Sequence, residues 1–404
     1  MTSAEATSPE LPETGLRSYP GRIRDNVRSG NLGSWPVLIA LGIIVVVFAE
    51  TATNFFTPGN FTNIITQMAG TCLLAYGVVF VLLIGEIDLS VSYVSGMAGV
   101  IVAELQLPTG AHLPGIWCIV IAILCTTVIG AMQGSIIALV GVPSFVVTLA
   151  GFLIWQGAIQ RILGGVITIQ DSTINNTASY FFSDLGDWII AAVVSSTYVL
   201  GLIGGAVARH RHGIPMTDPI LFVAKLVVVP VIAVVTVLIC NADRGIPFAL
   251  LLVVATLLIW TFVAKRTTFG RHVYAVGGSA EAARRAGINV PRIRILVFMI
   301  SGAMAGLGGV VLAGNIQSAD LQAGGGTLLI DAISAAVIGG TSLFGGRGEI
   351  RNGLIGALVI ATIASGMNIL GLQTGTIYAV TGLILLLAVT FDTVVRRVQV
   401  RSGR

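Results

Sequence analysis

From residue 35 to residue 392 the chain alternates long apolar runs with short polar breaks, and few charges interrupt the runs. A helix needs about 20 apolar residues to cross a hydrocarbon core of about 30 Å. On that measure the runs fall near 35–53, 62–84, 89–107, 115–140, 144–163, 188–208, 219–239, 246–264, 293–314, 328–344, 353–370 and 375–392. The pattern predicts an all-α fold: a polytopic integral-membrane helical bundle of twelve spans, or of ten or eleven if a short segment is re-entrant. Residues 1–34 hold Pro9, Pro12, Pro20, several Ser and Thr and four arginines, too polar to bury a core, and predict a disordered cytoplasmic tail. No apolar run precedes residue 35, so the first span is expected to stay as an uncleaved anchor. Residues 35–392 form the expected transmembrane domain and 393–404 a basic cytoplasmic tail.

Orientation follows from where Lys and Arg fall, because cytoplasmic loops are enriched in them. With the N-terminus inside, twelve spans return the C-terminus inside. The inner segments then hold Arg17, Arg22, Arg24, Arg28, Arg209, Arg211, the seven basic residues from Lys265 to Arg294, Arg347, Arg351, Arg396, Arg397, Arg401 and Arg404. Only Arg161 and Arg244 fall outside, and Lys225, early in its span, can snorkel back to the inner interface.

Composition sharpens the picture. Hydrophobic residues make up 55% of the 404, charged residues 10%, and the mean hydropathy is +0.94, against about 25% charged in soluble domains. A formal charge of +4 points to topology rather than nucleic acid, since the cations lie in loops between spans. Cys72, Cys118, Cys125 and Cys240 sit in or beside apolar runs without CxxC spacing, and the histidines lack metal-ligand spacing, so no metal site is expected. Neither Lys225 nor Lys265 completes a GxxxxGK[ST] phosphate loop. No nucleophile with a base beside it and no GxSxG is present, and a non-enzymatic chain is expected. Small residues at Gly130/Gly134, Gly302/Gly306 and Gly353/Ala357 have the spacing of close helix packing. Gln170 to Asp187 forms an external loop, either a cap over an entrance or a connector.

Two places break the apolar pattern at membrane depth. One is Gly85-Glu86-Ile87-Asp88-Leu89-Ser90; the other is Asp331 followed by Gly339, Gly340, Thr341, Gly345 and Gly346. Carboxylates there are costly unless paired or hydrated, which marks each place as a functional candidate, and glycine-interrupted runs line cavities in transporters. The competing readings are that Asp88 caps the third helix and that Asp331 pairs with a neighbouring Ser or backbone group. Ile87-Asp88-Leu89-Ser90 and Ile330-Asp331-Ala332-Ile333-Ser334 form a faint internal echo. A proton-coupled secondary carrier working without an ATPase could recruit Glu50, Glu86, Asp88, Glu104 and Asp331, although most sit at span ends, which weakens that class; a scaffold without transport is the third.

The most polar internal stretch, 265–292, lies between two apolar runs. Ser279 is placed to cap a helix over Ala280 to Ala286, Arg284 and Arg285 fall in its last turn, Gly287 suits a left-handed stop, and Pro291 prevents continuation. The pattern predicts a short cytoplasmic helix offered to a partner.

Five blocks, 85–100 (GEIDLSVSYVSGMAGV), 142–160, 269–290 (FGRHVYAVGGSAEAARRAGINV), 328–350 (LLIDAISAAVIGGTSLFGGRGEI) and 369–389, resemble the permease subunits of bacterial monosaccharide ATP-binding-cassette importers. These form the ribose, arabinose and xylose group of the branched-chain amino-acid and sugar permease superfamily. The resemblance implies a multi-pass protein of the bacterial cytoplasmic membrane that binds no cofactor itself, ATP and Mg being held by a separate cytoplasmic ATPase. It also implies an extracytoplasmic sugar-binding protein and a second permease copy as partners. By the same likeness Gly270, Arg271, Tyr274, Ala275, Gly277, Ser279, Ala280, Ala282, Arg284, Gly287 and Ile288 belong to the ATPase-coupling loop. Two apolar runs over 188–245 exceed the ribose type and look like the xylose type. A neutral sugar calls for hydroxyl and amide contacts. The path candidates are therefore Asp88, Ser90, Gln156, Asn315, Gln317, Asp331, Gly339, Gly340, Thr341 and Asn368, with interhelical hydrogen bonding the competing role for Gln156, Asn315, Gln317 and Asn368.

Overall fold

The computed structural model describes residues 35–213 and 219–401. The expected tail over 1–34 lies outside the described residues, as do 402–404. Each apolar run becomes a helix: α1 (Trp35–Thr51), α2 (Pro58–Leu83), α3 (Val91–Leu105), α4 (Gly115–Ser135), α5 (Ser144–Ile162), α7 (Asp184–Arg211), α8 (Pro219–Asn241), α9 (Phe248–Arg266), α12 (Val290–Ile316), α13 (Leu328–Ile338), α14 (Ile350–Ile369) and α15 (Thr374–Arg401). Between them lie α6 (Ser172–Ser179), α10 (Thr268–Gly278) and α11 (Ala280–Arg285), with a two-residue antiparallel pair of β1 (Ile167–Thr168) and β2 (Ser318–Ala319).

Among the described residues, eight helices are long and apolar enough to cross a membrane. The apolar helices or helix parts that remain are shorter, Thr374–Leu387 of α15 among them, and two of them correct the expected spans. Helix α3 has 15 residues and rises about 22 Å; α13 has 11 residues and rises about 16 Å. The run expected over 328–344 is thus helical only as far as Ile338. Gly339 and Gly340 end it, Gly340 with a φ of 109° that disfavours any side chain.

Helix α12 is the axis of the bundle. Lipid tails are as apolar as leucine, so membrane helices are held by close packing rather than by escape from water. Among the larger buried residues Val297, Phe298, Met304, Val310 and Val311 stand the small ones Ser301, Gly302, Ala305, Gly306, Gly308, Gly309 and Ala313, and at these neighbouring backbones press against the helix. A Cβ on Gly302 would overlap the carbonyl oxygen of Thr126 in α4, and one on Gly130 would overlap that of Phe298. On other sides Gly309 meets the carbonyl of Ser95 in α3, and Gly77 of α2 meets Ser301. The second buried helix, α2, packs Gly77 there and Tyr76 against Gly353 of α14. By contrast α7 and α8 expose nearly their whole surface and reach the core through Ala191, Val237, Cys240 and Ile65.

At the end of the bundle that carries β1 and β2, Gln106 ties three segments together. Its Nε2 donates to Thr168 O and its Oε1 accepts from the amides of Gln170 and Asp171, all at 2.9 Å. Asp171 in turn caps α6, accepting from Thr173 at 2.7 Å and Ile174 at 3.3 Å, and takes the amide of Gly115 at 3.0 Å. The expected loop over 170–187 therefore contains a helix, α6, buried at Ile174, Thr177 and Ala178, and its Ile174 carbonyl lies against Gly314 of α12.

Replacing Gly302 by Val forces α12 away from α4 and is expected to destabilise the fold by about 1–3 kcal/mol. Gly42→Val in α1, where nothing lies within 4 Å of an added Cβ, leaves it unchanged. Thermal unfolding of the two variants in detergent checks this contrast.

Candidate functional site

Two polar constructions lie close together at the opposite end of the bundle. The first is the helix pair α10–α11. Thr267 caps α10 by accepting from Gly270 N at 3.2 Å. Phe269, Val273 and Val276 recur on one face, with Val273 and Val276 buried and Phe269 packed against the core. Ser279 Oγ accepts from Ala282 N at 3.2 Å, as its position predicts. Helix α11 ends at Arg285, where Gly287 has a φ of 83°, Gly287 N bonds Arg284 O, and Ile288 N bonds Ala283 O. Arg284 and Arg285 both reach back to Glu281, at 3.5 and 3.1 Å; all three are exposed, so these pairs add little stability.

The inner face of α10 is wedged into the bundle. Gly270 stands so close to Ala264 O, and Gly277 to Leu83 O and Gly346 N, that no larger residue fits at either position. Gly346 N also donates to Leu83 O at 2.9 Å, joining the segment after α13 to the end of α2. Tyr274 Oη donates to Gly348 O at 2.8 Å. Burial, and then the nearby Glu349 carboxylate, push the Tyr274 phenol above its ordinary pKa, so it stays protonated and remains a donor. Lys265 pairs with Glu349 at 2.9 Å, and Arg351 reaches the same oxygen at 2.8 Å. Facing outward is a surface of small residues, Ala275, Gly278, Ser279, Ala282 and Ala286, flanked by Arg271, Arg284 and Arg285. Of the expected coupling residues, Ala280 and Ile288 are half-buried and pack on the core.

The second construction is the break between α2 and α3. Asp88, 6% exposed, accepts from Ser90 N at 3.0 Å and Ser90 Oγ at 2.7 Å through Oδ1, and from Ser301 Oγ of α12 at 2.8 Å through Oδ2. It thus holds Ser90, the N-cap residue of α3, from two positions ahead of the helix and also bridges to α12. Ser90 has a single hydroxyl proton, which goes to the nearer Asp88. Gln133 of α4 has its oxygen 2.9 Å from Ser90 Oγ and its buried Nε2 without a partner. Turning that amide over lets Nε2 donate to Ser90 Oγ, which then both donates and accepts. Glu86 pairs with Arg294 at 3.0 Å, seven residues and two turns below Ser301 on α12. Ile87 is held to α5 by Ser144 Oγ at 3.3 Å and by Thr148 Oγ1 at 3.2 Å.

The remaining path candidates do not converge on one place. Thr341, 1% exposed, accepts from Asn352 Nδ2 at 3.3 Å, and Gly339 abuts Asn352 O. Asp331 accepts from Thr327 Oγ1 at 2.7 Å. Gln156 is half-buried without a hydrogen bond, while Asn315, Gln317 and Asn368 are exposed at helix ends. Sequence reasoning missed α10 as a helix, although Phe269, Val273 and Val276 carry its periodicity. It also missed Gln133 and Ser301, single polar residues that nothing in the sequence pairs with Asp88.

A bundle of long apolar helices around an interrupted interior, with a polar helix pair wedged into one end, is a helical membrane permease. The chain belongs to the family of branched-chain amino acid transport system permease components, whose model matches residues 60–389. It is 34% identical over 382 residues to the xylose transport system permease protein XylH of Escherichia coli (strain K12), covering 92% of this chain and 94% of that protein. Identity to its namesake in Haemophilus influenzae (strain Rd) is 34% over 371 residues, 91% and 98% of the two chains. The ribose import permease protein RbsC of Escherichia coli (strain K12) is 29% identical over 355 residues, 88% and 92% of the two chains. No solved structure matches. The chain is accordingly a multi-pass protein of the inner membrane.

Ser301→Ala leaves a buried carboxylate oxygen without its donor, at a cost of about 1–3 kcal/mol. In a double-mutant cycle with Asp88→Asn the two losses are expected to fall short of additive, as measured by thermal unfolding of the purified permease.

Proposed function

We propose that this chain is the membrane subunit of an ATP-binding-cassette importer that carries xylose or a closely related pentose into the cell. The observation that carries the substrate class is the near full-length similarity to XylH permeases, at higher identity than to ribose permeases. Length supports it too, since α7 and α8 occupy the stretch where shorter relatives were expected to have fewer residues. The partners are a cytoplasmic ATPase, an extracytoplasmic sugar-binding protein and a second copy of the permease. ATP and Mg belong to the ATPase; this chain hydrolyses nothing. In this reading the chain crosses twelve times with both termini in the cytoplasm, α3 and α13 being short members of the set, and the Lys and Arg of the inner segments support that orientation.

In this reading the α10–α11 surface receives the ATPase. Its outward residues are small, so another protein's backbone can approach closely, and three arginines surround them. The path inward is short. A push on α10 bears through Gly277 on Leu83 O and the 346–348 segment. Three residues beyond Leu83 the chain enters the Glu86–Asp88 break, which is fastened to α12 and α5. A packed interface of this kind has discrete arrangements, so displacement at the docking surface shifts whole helices. The carrier alternative has less support: Asp88 and Glu86 are already engaged by serines and by Arg294, and the relatives are subunits of transport systems.

Reconstituted with its ATPase and binding protein, the permease is expected to accumulate labelled xylose only when ATP is supplied; uptake by the permease alone under a proton gradient overturns the proposal. Ala282→Trp, on the exposed face of α11, is expected to abolish ATPase co-purification and reduce uptake at least tenfold while leaving membrane levels unchanged. Pull-down and uptake assays on the same preparation read both effects.

A further inference from the structure

Between β2 and α13 the chain runs Asp320-Leu321-Gln322-Ala323-Gly324-Gly325-Gly326-Thr327 without a helix or strand. Its neighbours fix its depth. A Cβ on Gly324 would overlap Ser92 O, and one on Gly96 would overlap Ala323 O, so the segment lies against the first turns of α3. Ser92 is thirteen residues from Leu105, the end of α3 that adjoins β1 and β2, which at 1.5 Å per residue is about 20 Å. The chain therefore descends deep into the bundle as irregular backbone before α13 begins.

Such backbone is tolerated at membrane depth only where protein or water satisfies it. Within the segment Ala323 N bonds Asp320 O, Gly325 N bonds Gln322 O, and Gln322 N bonds Asp320 Oδ1. The amides of Gly324, Gly326 and Thr327 find no acceptor among the described residues. Gln322 and Gly326 are exposed, and Tyr378 of α15, 49% exposed, brings its hydroxyl beside Gly326. The Tyr93 hydroxyl lies beside Gly325, its ring set edge-on to Phe152 at 4.5 Å between centroids. Ser92, wholly buried, has a hydroxyl with no partner.

We propose that Gln322 to Thr327, with Tyr93 and Tyr378, forms the sugar-contacting wall of the translocation passage. The occupant is a neutral polyhydroxylated molecule, a monosaccharide. Its hydroxyls both donate and accept, and this wall offers unpaired amides and two phenols, that of Tyr93 largely buried, in place of fixed charge. The glycines let the ligand approach the backbone itself. Asp331, held by Thr327 at 2.7 Å, sets the first turn of α13 and is not itself the contact. This inference rests on the importer reading, and it assigns residues that the candidate path above did not contain.

The test is thiol accessibility in the complete importer, in vesicles, on a chain whose Cys72, Cys118, Cys125 and Cys240 are replaced by alanine. Gln322→Cys and Tyr378→Cys are compared with Val231→Cys on the exposed apolar face of α8. A membrane-impermeant maleimide is expected to label the first two at least tenfold faster than the third. Xylose supplied with binding protein and ATP is expected to slow that labelling at least threefold. Labelling as slow as at Val231 means the segment faces lipid or a second copy and overturns the proposal. So does fast labelling that sugar leaves unaltered in a complex that takes up sugar. Should the cysteine-free chain not assemble, the same substitutions are read in the native background against the unsubstituted chain. The importer reading fails on a different measurement, the absence of ATP-dependent uptake by the wild-type complex.

Discussion

Helix α12 touches α2, α3 and α4 with its backbone. Inside a membrane, burying leucine gains little, because lipid is as apolar as the helix partner; what remains is the dispersion energy of closely matched surfaces. Gly302 against Thr126, Gly309 against Ser95 and Gly77 against Ser301 supply that match. Approach at this range has a second effect, since it brings Ser301 within 2.8 Å of Asp88. The carboxylate is tolerable in the interior because the glycines around it let donors come near. Packing and polar satisfaction are thus one arrangement.

The polar groups are graded along α12. Glu86–Arg294 lies near the bundle end, where the Arg294 side chain is 30% exposed, while Asp88–Ser301 two turns further in is sealed. Such contacts do not slide continuously; each is made or lost, and breaking one exposes a buried charge. The break between α2 and α3 is thus fastened to α12 at two depths and to α5 beside it. Gly277 and Gly346 set α10 directly on the chain leading into it. The opposite end is built differently: Gln106 and Asp171 satisfy backbone amides and carry no ion pair across helices.

The short helices give the bundle its interior. A full-length helix satisfies its own backbone and leaves nothing for a ligand. Helices α3 and α13 begin well inside the bundle, after irregular stretches, and there backbone groups become available. The faint echo between Ile87–Ser90 and Ile330–Ser334 falls on the starts of these two helices, although Asp88 reaches across to another helix and Asp331, among the described residues, bonds within its own turn.

The sequence by itself determined the fold class, the positions of the apolar helices, the spacing of the packing glycines and the cap, last turn and stop of α11. All of these are local: they depend on runs, on periodicity and on residue types within a few positions of one another. The length of α13 was only half legible: Gly339 and Gly340 interrupt the run over 328–344, but that the helix stops there depends on Gly339 meeting Asn352. Nor was the partnership of Asp88 with Ser301, 213 residues away, or of Glu86 with Arg294. Helix α10 was hidden because only three apolar positions mark it and its second face is made of small residues. Tertiary structure decided which polar groups meet, since at membrane depth a contact depends on which helices pack side by side and in what register, and one chain's residue order does not encode that directly.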